Sequence, residues 1–179
     1  AGMGGQRLML VTDPFFMKNG TAQRIAQTAK CAQVEYFDKV QPDPSVELAA
    51  EGTARLKEFA PDLLVALGGG SAMDTAKAIA CMLDVDGDII AYCKGQIKPI
   101  RRSNLLFAIP TTCGTGSEST DIGVVLDREA NYKYIFANPF AGPDVAILDP
   151  VLLTALSPSM IAATAMDAFS HSCLLYTSP

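Results

Sequence analysis

Short apolar runs alternate with stretches of helical period along most of the chain, and that order predicts a parallel sheet covered by helices on its faces. Residues 7–12 (RLMLVT) read as the first strand, stopped by Asp13-Pro14. Residues 20–31 read as a helix and 34–37 as a short strand. A turn follows through Gln41-Pro42-Asp43-Pro44, where two prolines forbid regular structure. Ser45 caps a helix over 45–58 that ends before Pro61. A buried strand at 63–67 then runs through Gly68-Gly69-Gly70-Ser71 into an alanine-rich helix at 72–83. Residues 105–109 form another strand, closed by Pro110. In the second half, 122–126 and 134–137 read as a strand pair with a turn at 128–131, and 145–148 as a strand ending at Asp149-Pro150. Ser157-Pro158 opens a last helix, with serine as cap and proline in the first turn. No internal repeat, low-complexity tract or linker interrupts the chain, which places any domain boundary near 150–158.

Composition narrows the classes. Of the 179 residues 49% are hydrophobic and 18% charged, which argues for a folded domain with one sizeable core. A net charge of -5 leaves no basic stripe to neutralise phosphates, and Arg101 and Arg102 are an isolated pair, so nucleic acid and anionic membrane are disfavoured as partners. No apolar run approaches the roughly 20 residues of a spanning helix, and no signal-peptide pattern opens the chain, so a soluble, cytoplasmic protein is expected. The five cysteines form no CxxC pair and are odd in number, which fits reduced thiols.

Three segments carry chemistry. In LLVALGGGSAMDTAKAIA an apolar strand meets three glycines and a serine at the mouth of a helix. Backbone without Cβ atoms, free N–H groups and the positive end of a helix dipole suit a phosphate. The segment is neither a Walker A loop nor G-x-G-x-x-G, and the same glycines also serve a tight strand-to-helix turn. The second segment, IPTTCGTGSES, places hydroxyls and bare backbone after the next strand. Loops at the carboxyl ends of neighbouring parallel strands lie on one edge, so the two are placed to share a ligand, although a plain Ser/Thr/Gly surface loop reads the same. The third is Asp167-x-x-x-His171 on a helix, where four-residue spacing puts a carboxylate and the chain's one imidazole on one face. Such a pair is either a surface ion pair or two donors to one metal ion, iron(II) or zinc by ligand type.

Taken together and in this order, the segments resemble the iron-containing (group III) alcohol dehydrogenases from about Arg7 to Ser172. The family's GGGSxxDxAK stands as Gly68 to Lys77, its PTTxGTGSE as Pro110 to Glu118 with Cys113 at the variable place, and its PDVAILDP as Pro143 to Pro150, with Lys133 as the basic residue before it. The metal motif MDAxxHA matches Met166 to His171, with Ser172 in place of alanine. The resemblance implies a Rossmann-like α/β dinucleotide-binding domain over 1–152, and over 153–179 the first helix of an all-helical metal-binding domain. It implies NAD and Fe2+ as cofactors, with Zn2+ possible, a primary alcohol or aldehyde as substrate, and a homo-oligomer for the full-length form.

By resemblance, Gly69, Gly70 and Ser71 hold the cofactor pyrophosphate, Asp74 and Lys77 steady that loop, and Thr111, Thr112 and Thr115 line the nicotinamide side. Lys133 reaches toward a ribose. Asp13 meets the adenosine ribose, where its carboxylate repels a 2′-phosphate and favours NAD over NADP. Asp167 and His171 are metal ligands, no nucleophile is required, and Cys113 is a bystander. The family's site takes one aspartate and three histidines, whereas this chain has one histidine. The chain is therefore expected to be an N-terminal fragment, inactive alone, opening in an internal loop, with residues 173–179 a read-through or a truncated gene model. Two other readings stand beside it. One is a zinc-dependent sibling such as a glycerol dehydrogenase or dehydroquinate synthase, against which PTTCGTGSE and MDAFSH argue. The other is a nucleotide-binding module without catalysis.

Overall fold

Thirteen elements follow one another in the computed structural model, which describes residues 6–177. In order they are β1 (Arg7–Thr12), α1 (Pro14–Lys18), α2 (Thr21–Ala29), β2 (Gln33–Phe37), α3 (Val46–Phe59), β3 (Leu63–Gly68), α4 (Gly70–Cys81), α5 (Ile89–Cys93), β4 (Leu105–Pro110), β5 (Ile122–Asp127), β6 (Tyr132–Ala137), β7 (Val145–Ala146) and α6 (Pro158–Thr177). Two single 3-10 turns, Ser117–Ser119 and Pro150–Leu153, lie between them. Expectations about the opening residues, Ser178 and Pro179 lie outside the described residues.

Five strands form one parallel sheet in the order β2-β1-β3-β4-β7, and β5 and β6 form a separate antiparallel hairpin. The predicted α/β, Rossmann-like class is the one observed. A parallel sheet is covered on both faces, so its central strands are apolar at every position rather than alternately. All six residues of LLVALG in β3 are buried. Their alternation still sorts them by face. Met9, Val11, Leu64, Ala66, Leu106 and Ala108 pack against Leu56 of α3 and Met73, Ala76 and Ile79 of α4. Leu8, Leu10, Leu63, Val65, Leu67 and Ile109 meet Phe16 of α1 and Ala22 and Ala26 of α2. A third cluster, with Met82, Tyr92, Val125 and Phe136, fixes the hairpin and α5 to the back of α4.

The departures from the sequence reading are local. Helix α1 was not anticipated, because five residues are too few to show a period; its signals were Asp13, which caps it by accepting from the N–H groups of Phe15 and Phe16, and Pro14 in its first turn. Helix α5 was missed for the same reason, since DIIAYC reads equally as a strand until Asp88 is seen to accept from the Ala91 N–H. The last strand is shorter than the expected 145–148, pairing only through Val145 and Ala146, with Ile147 and Leu148 exposed. Helix α6 runs through Cys173 to Thr177, has no buried residue, and begins where the Ser157 hydroxyl accepts from the Met160 N–H.

Candidate cofactor and metal site

The chain leaves β1 toward β2 on one side and returns to β3 on the other, so the loops after β1 and β3 diverge at the carboxyl edge. In open α/β sheets that divergence is where ligands bind. The glycine loop occupies it. Gly68 has φ +149°, a conformation L side chains rarely adopt, and Gly69 caps α4 with no side chain bonding to the first turn, whereas α1, α3 and α5 are capped by Asp13, Ser45 and Asp88. The N–H groups at the start of α4 thus lack a side-chain cap, an arrangement that suits an anion.

The second loop closes against the first. The Thr111 N–H donates to the Gly68 carbonyl at 2.9 Å. A Cβ on Gly69 would lie 3.2 Å from the Thr112 hydroxyl oxygen, and one on Gly70 3.0 Å from the Thr115 methyl. Both glycines therefore lie under threonines, and both loops form the walls of one cradle. Ser71 is half-buried at its rim; Thr111 is buried in the seam, Thr112 is half-buried over Gly69, and Thr115 is exposed over Gly70.

Behind the cradle a buried polar network ties the loops together. Lys77 is wholly buried; its ammonium donates to Ser117 Oγ (2.9 Å), Thr120 Oγ1 (3.2 Å) and the Ile122 carbonyl (2.8 Å). The Ser117 hydroxyl in turn donates to Asp74 Oδ1 at 2.9 Å, and the Val124 N–H to Asp74 Oδ2 at 3.2 Å. Burial raises the Asp74 pKa, opposed by the Ser117 bond and the Lys77 charge; burial lowers that of Lys77, opposed first by Asp74. Asp74 and Lys77 thus bond to residues of the second loop and the hairpin from behind the cradle.

Asp13 stands beside the glycine loop, its Oδ2 3.8 Å from where a Gly68 Cβ would be, and its Oδ1 is engaged in capping α1. Asp38, which the sequence reading passed over, follows β2 directly and lines an open cleft of about 740 Å³ with Pro14, Gln41, Ser45 and Leu48. An acidic residue just past the second strand is where doubly wound folds meet a ribose, so position after β2 was the available signal. Lys133, on the hairpin, is exposed and paired with Asp43 at 2.6 Å, and stands apart from the two loops.

On α6, Thr164, Asp167 and Ala168 are the residues around the metal motif that are partly covered, a spacing of three and four that marks one helix face. That face meets the second loop, since Gly114 abuts the backbone of Thr164. Asp167 and His171 follow on it, with Oδ1 and Nε2 3.6 Å apart. Two donors each about 2.1 Å from a tetrahedral ion stand about 3.4 Å apart, so the pair fits one metal. Among the described residues no group of three or more metal-ligating side chains converges, and no helix is long and apolar enough to cross a membrane.

Residues 1–150 match the family model described as iron-containing alcohol dehydrogenase. The Bacillus subtilis (strain 168) protein named choline dehydrogenase is 39% identical over 182 residues, covering 99% of this chain and 45% of its own length. The NAD+ complex of sulfoacetaldehyde reductase from Bifidobacterium kashiwanohense superposes with a TM-score of 0.87 at 33% identity, over 92% of this chain and 44% of that one. An iron-containing alcohol dehydrogenase from Thermotoga maritima does so with 0.81 at 32%, over 95% and 47%. The chain spans less than half the length of each.

Proposed function

We propose, from the premise that this chain belongs to the iron-containing alcohol dehydrogenase family, that it supplies the NAD-binding half and two metal donors of an oxidoreductase acting on a primary alcohol or aldehyde. One observation carries the reading: an uncapped glycine-rich helix start lies at the β1/β3 divergence, with Thr112 and Thr115 closed over Gly69 and Gly70. In this reading Gly69, Gly70 and Ser71 receive the pyrophosphate through backbone N–H groups. Thr112 and Thr115 flank the path to the nicotinamide, and Thr111 holds the second loop to the first. Asp38 takes the ribose hydroxyls, a role for which it is better placed than Asp13. A divalent ion, Fe2+ or Zn2+, held by Asp167 and His171 would lower the pKa of an alcohol hydroxyl so that hydride can leave to the nicotinamide. Residues 1–152 form the dinucleotide-binding unit and 153–179 open the metal-binding one. The full-length protein would be a cytoplasmic homo-oligomer, as the sequence suggested.

NADH fluorescence titration tests this. Gly69→Val fills the space 3.2 Å from Thr112 and denies backbone approach, so binding is expected to weaken at least tenfold. Equal affinity for parent and variant would remove the cradle from the reading.

A further inference from the structure

Gly114 lies in the second loop between exposed Cys113 and Thr115, and its φ is not positive, so its backbone conformation does not demand glycine. What demands it is the helix opposite. A Cβ built there would lie 2.2 Å from the Thr164 carbonyl oxygen, 2.9 Å from its carbon and 3.0 Å from its Cα. All three are backbone atoms of α6, which cannot swing aside as a side-chain tip can. The same loop meets the glycine cradle on its other side through Thr112 and Thr115. One short segment therefore touches both the cofactor loop and the helix of Asp167 and His171, one and two turns beyond Thr164.

We infer that Gly114 is a positioning residue: its bare Cα sets how closely α6 approaches the cofactor loops, and so how far the Asp167/His171 pair stands from the nicotinamide. The inference rests on the reading of that pair as metal donors and of the cradle as the NAD site. Because α6 buries no residue, this backbone contact is among the few restraints on its approach. A methyl at Gly114 displaces the helix as a body, leaving the pair's mutual spacing and the glycine cradle intact. Cofactor affinity and donor geometry are preserved while the distance between them grows.

The test uses the full chain with Gly114→Ala, and Cys113→Ala as a neighbouring control. Amide hydrogen exchange is expected to speed up several-fold across α6 in Gly114→Ala alone, with NADH affinity within twofold of the parent. Mn2+ added as a paramagnetic probe to the NAD+-bound protein is expected to relax the nicotinamide protons several-fold less in Gly114→Ala, because that effect falls with the sixth power of distance. A purely structural role would not move this signal at constant affinity. Unchanged α6 exchange overturns the inference, and so does NADH affinity lost in step with exchange, which would make Gly114 part of the cradle. No relaxation of the nicotinamide protons in the NAD+-bound parent refutes the metal reading and with it the functional role inferred here, whatever α6 exchange shows. Failure of the parent to bind NADH fails the proposed function instead.

Discussion

Two aspartates at the carboxyl edge differ by what already occupies them. Asp13 spends Oδ1 on the N–H groups of Phe15 and Phe16, whereas no bond within the protein engages the Asp38 side chain among the described residues, and Asp38 lines the cleft beside β2. Asp38→Gly is accordingly expected to raise NADP affinity relative to NAD by about tenfold or more, since a like charge near a 2′-phosphate costs on the order of 1.4 kcal/mol or more. Asp13→Ala is expected to change the ratio less and to lower stability by about 1 kcal/mol through the lost cap. Paired titrations with both cofactors and a urea curve distinguish the two; the reverse order would return the ribose to Asp13. The cysteines sort by environment in the same way. Burial, with the charge of Cys81 adding to it, pushes the Cys93 thiol up to about 11, while Cys113 is exposed. At pH 8 about one Cys93 thiol in a thousand is the reactive thiolate. Iodoacetamide labelling read by mass spectrometry should therefore find Cys113 well ahead of Cys93 at pH 8, and Cys93 catching up only as pH approaches 11.

Elements were legible where they were long and hidden where they were short. RLMLVT and LLVALG announce buried strands because both sheet faces are covered, and the helix after Ser45 shows its cap. PFFMK and IIAYC are below one and a half turns, so no period exists to be read. The glycine and threonine loops were legible as motifs, but that they close on each other is a property of strand order, which periodicity does not carry. Asp38 was passed over because a lone aspartate after a strand looks like any turn residue until the sheet order places it. The Lys77 network was named only as a support, and its chemistry came from packing α4 under the hairpin. Lys77→Met keeps the volume and leaves Ser117, Thr120 and the Ile122 carbonyl without their donor. Unfolding in urea should show a loss on the order of 2–3 kcal/mol, as for hydrogen bonds from a charged group. A loss under about 0.5 kcal/mol would mean that the network contributes little to stability.

At the scale of the molecule, the proposed cofactor cradle is joined to only two of the donors a metal site would need. A catalytic metal site needs at least three protein ligands and an open position, and the chain's single histidine and one aspartate supply two. The 179-residue chain given Fe2+ or Zn2+, NAD and a primary alcohol is therefore expected to form no NADH. Turnover that Asp167→Ala or His171→Ala abolishes would show that two donors suffice. The sheet order also bears on how the chain comes into being. Its first strand, β1, pairs Leu8 with Leu63, 55 residues later, and the central strand β3 pairs Leu63 with Leu105. On a ribosome adding about 5–20 residues per second, β1 waits on the order of 3–10 s for its inner neighbour. Once β2 is made, and until β3 follows, this apolar strand has one open edge, β2 being its sole partner. Nascent chains of this sequence should depend on chaperone protection most strongly between the emergence of β2 and that of β3.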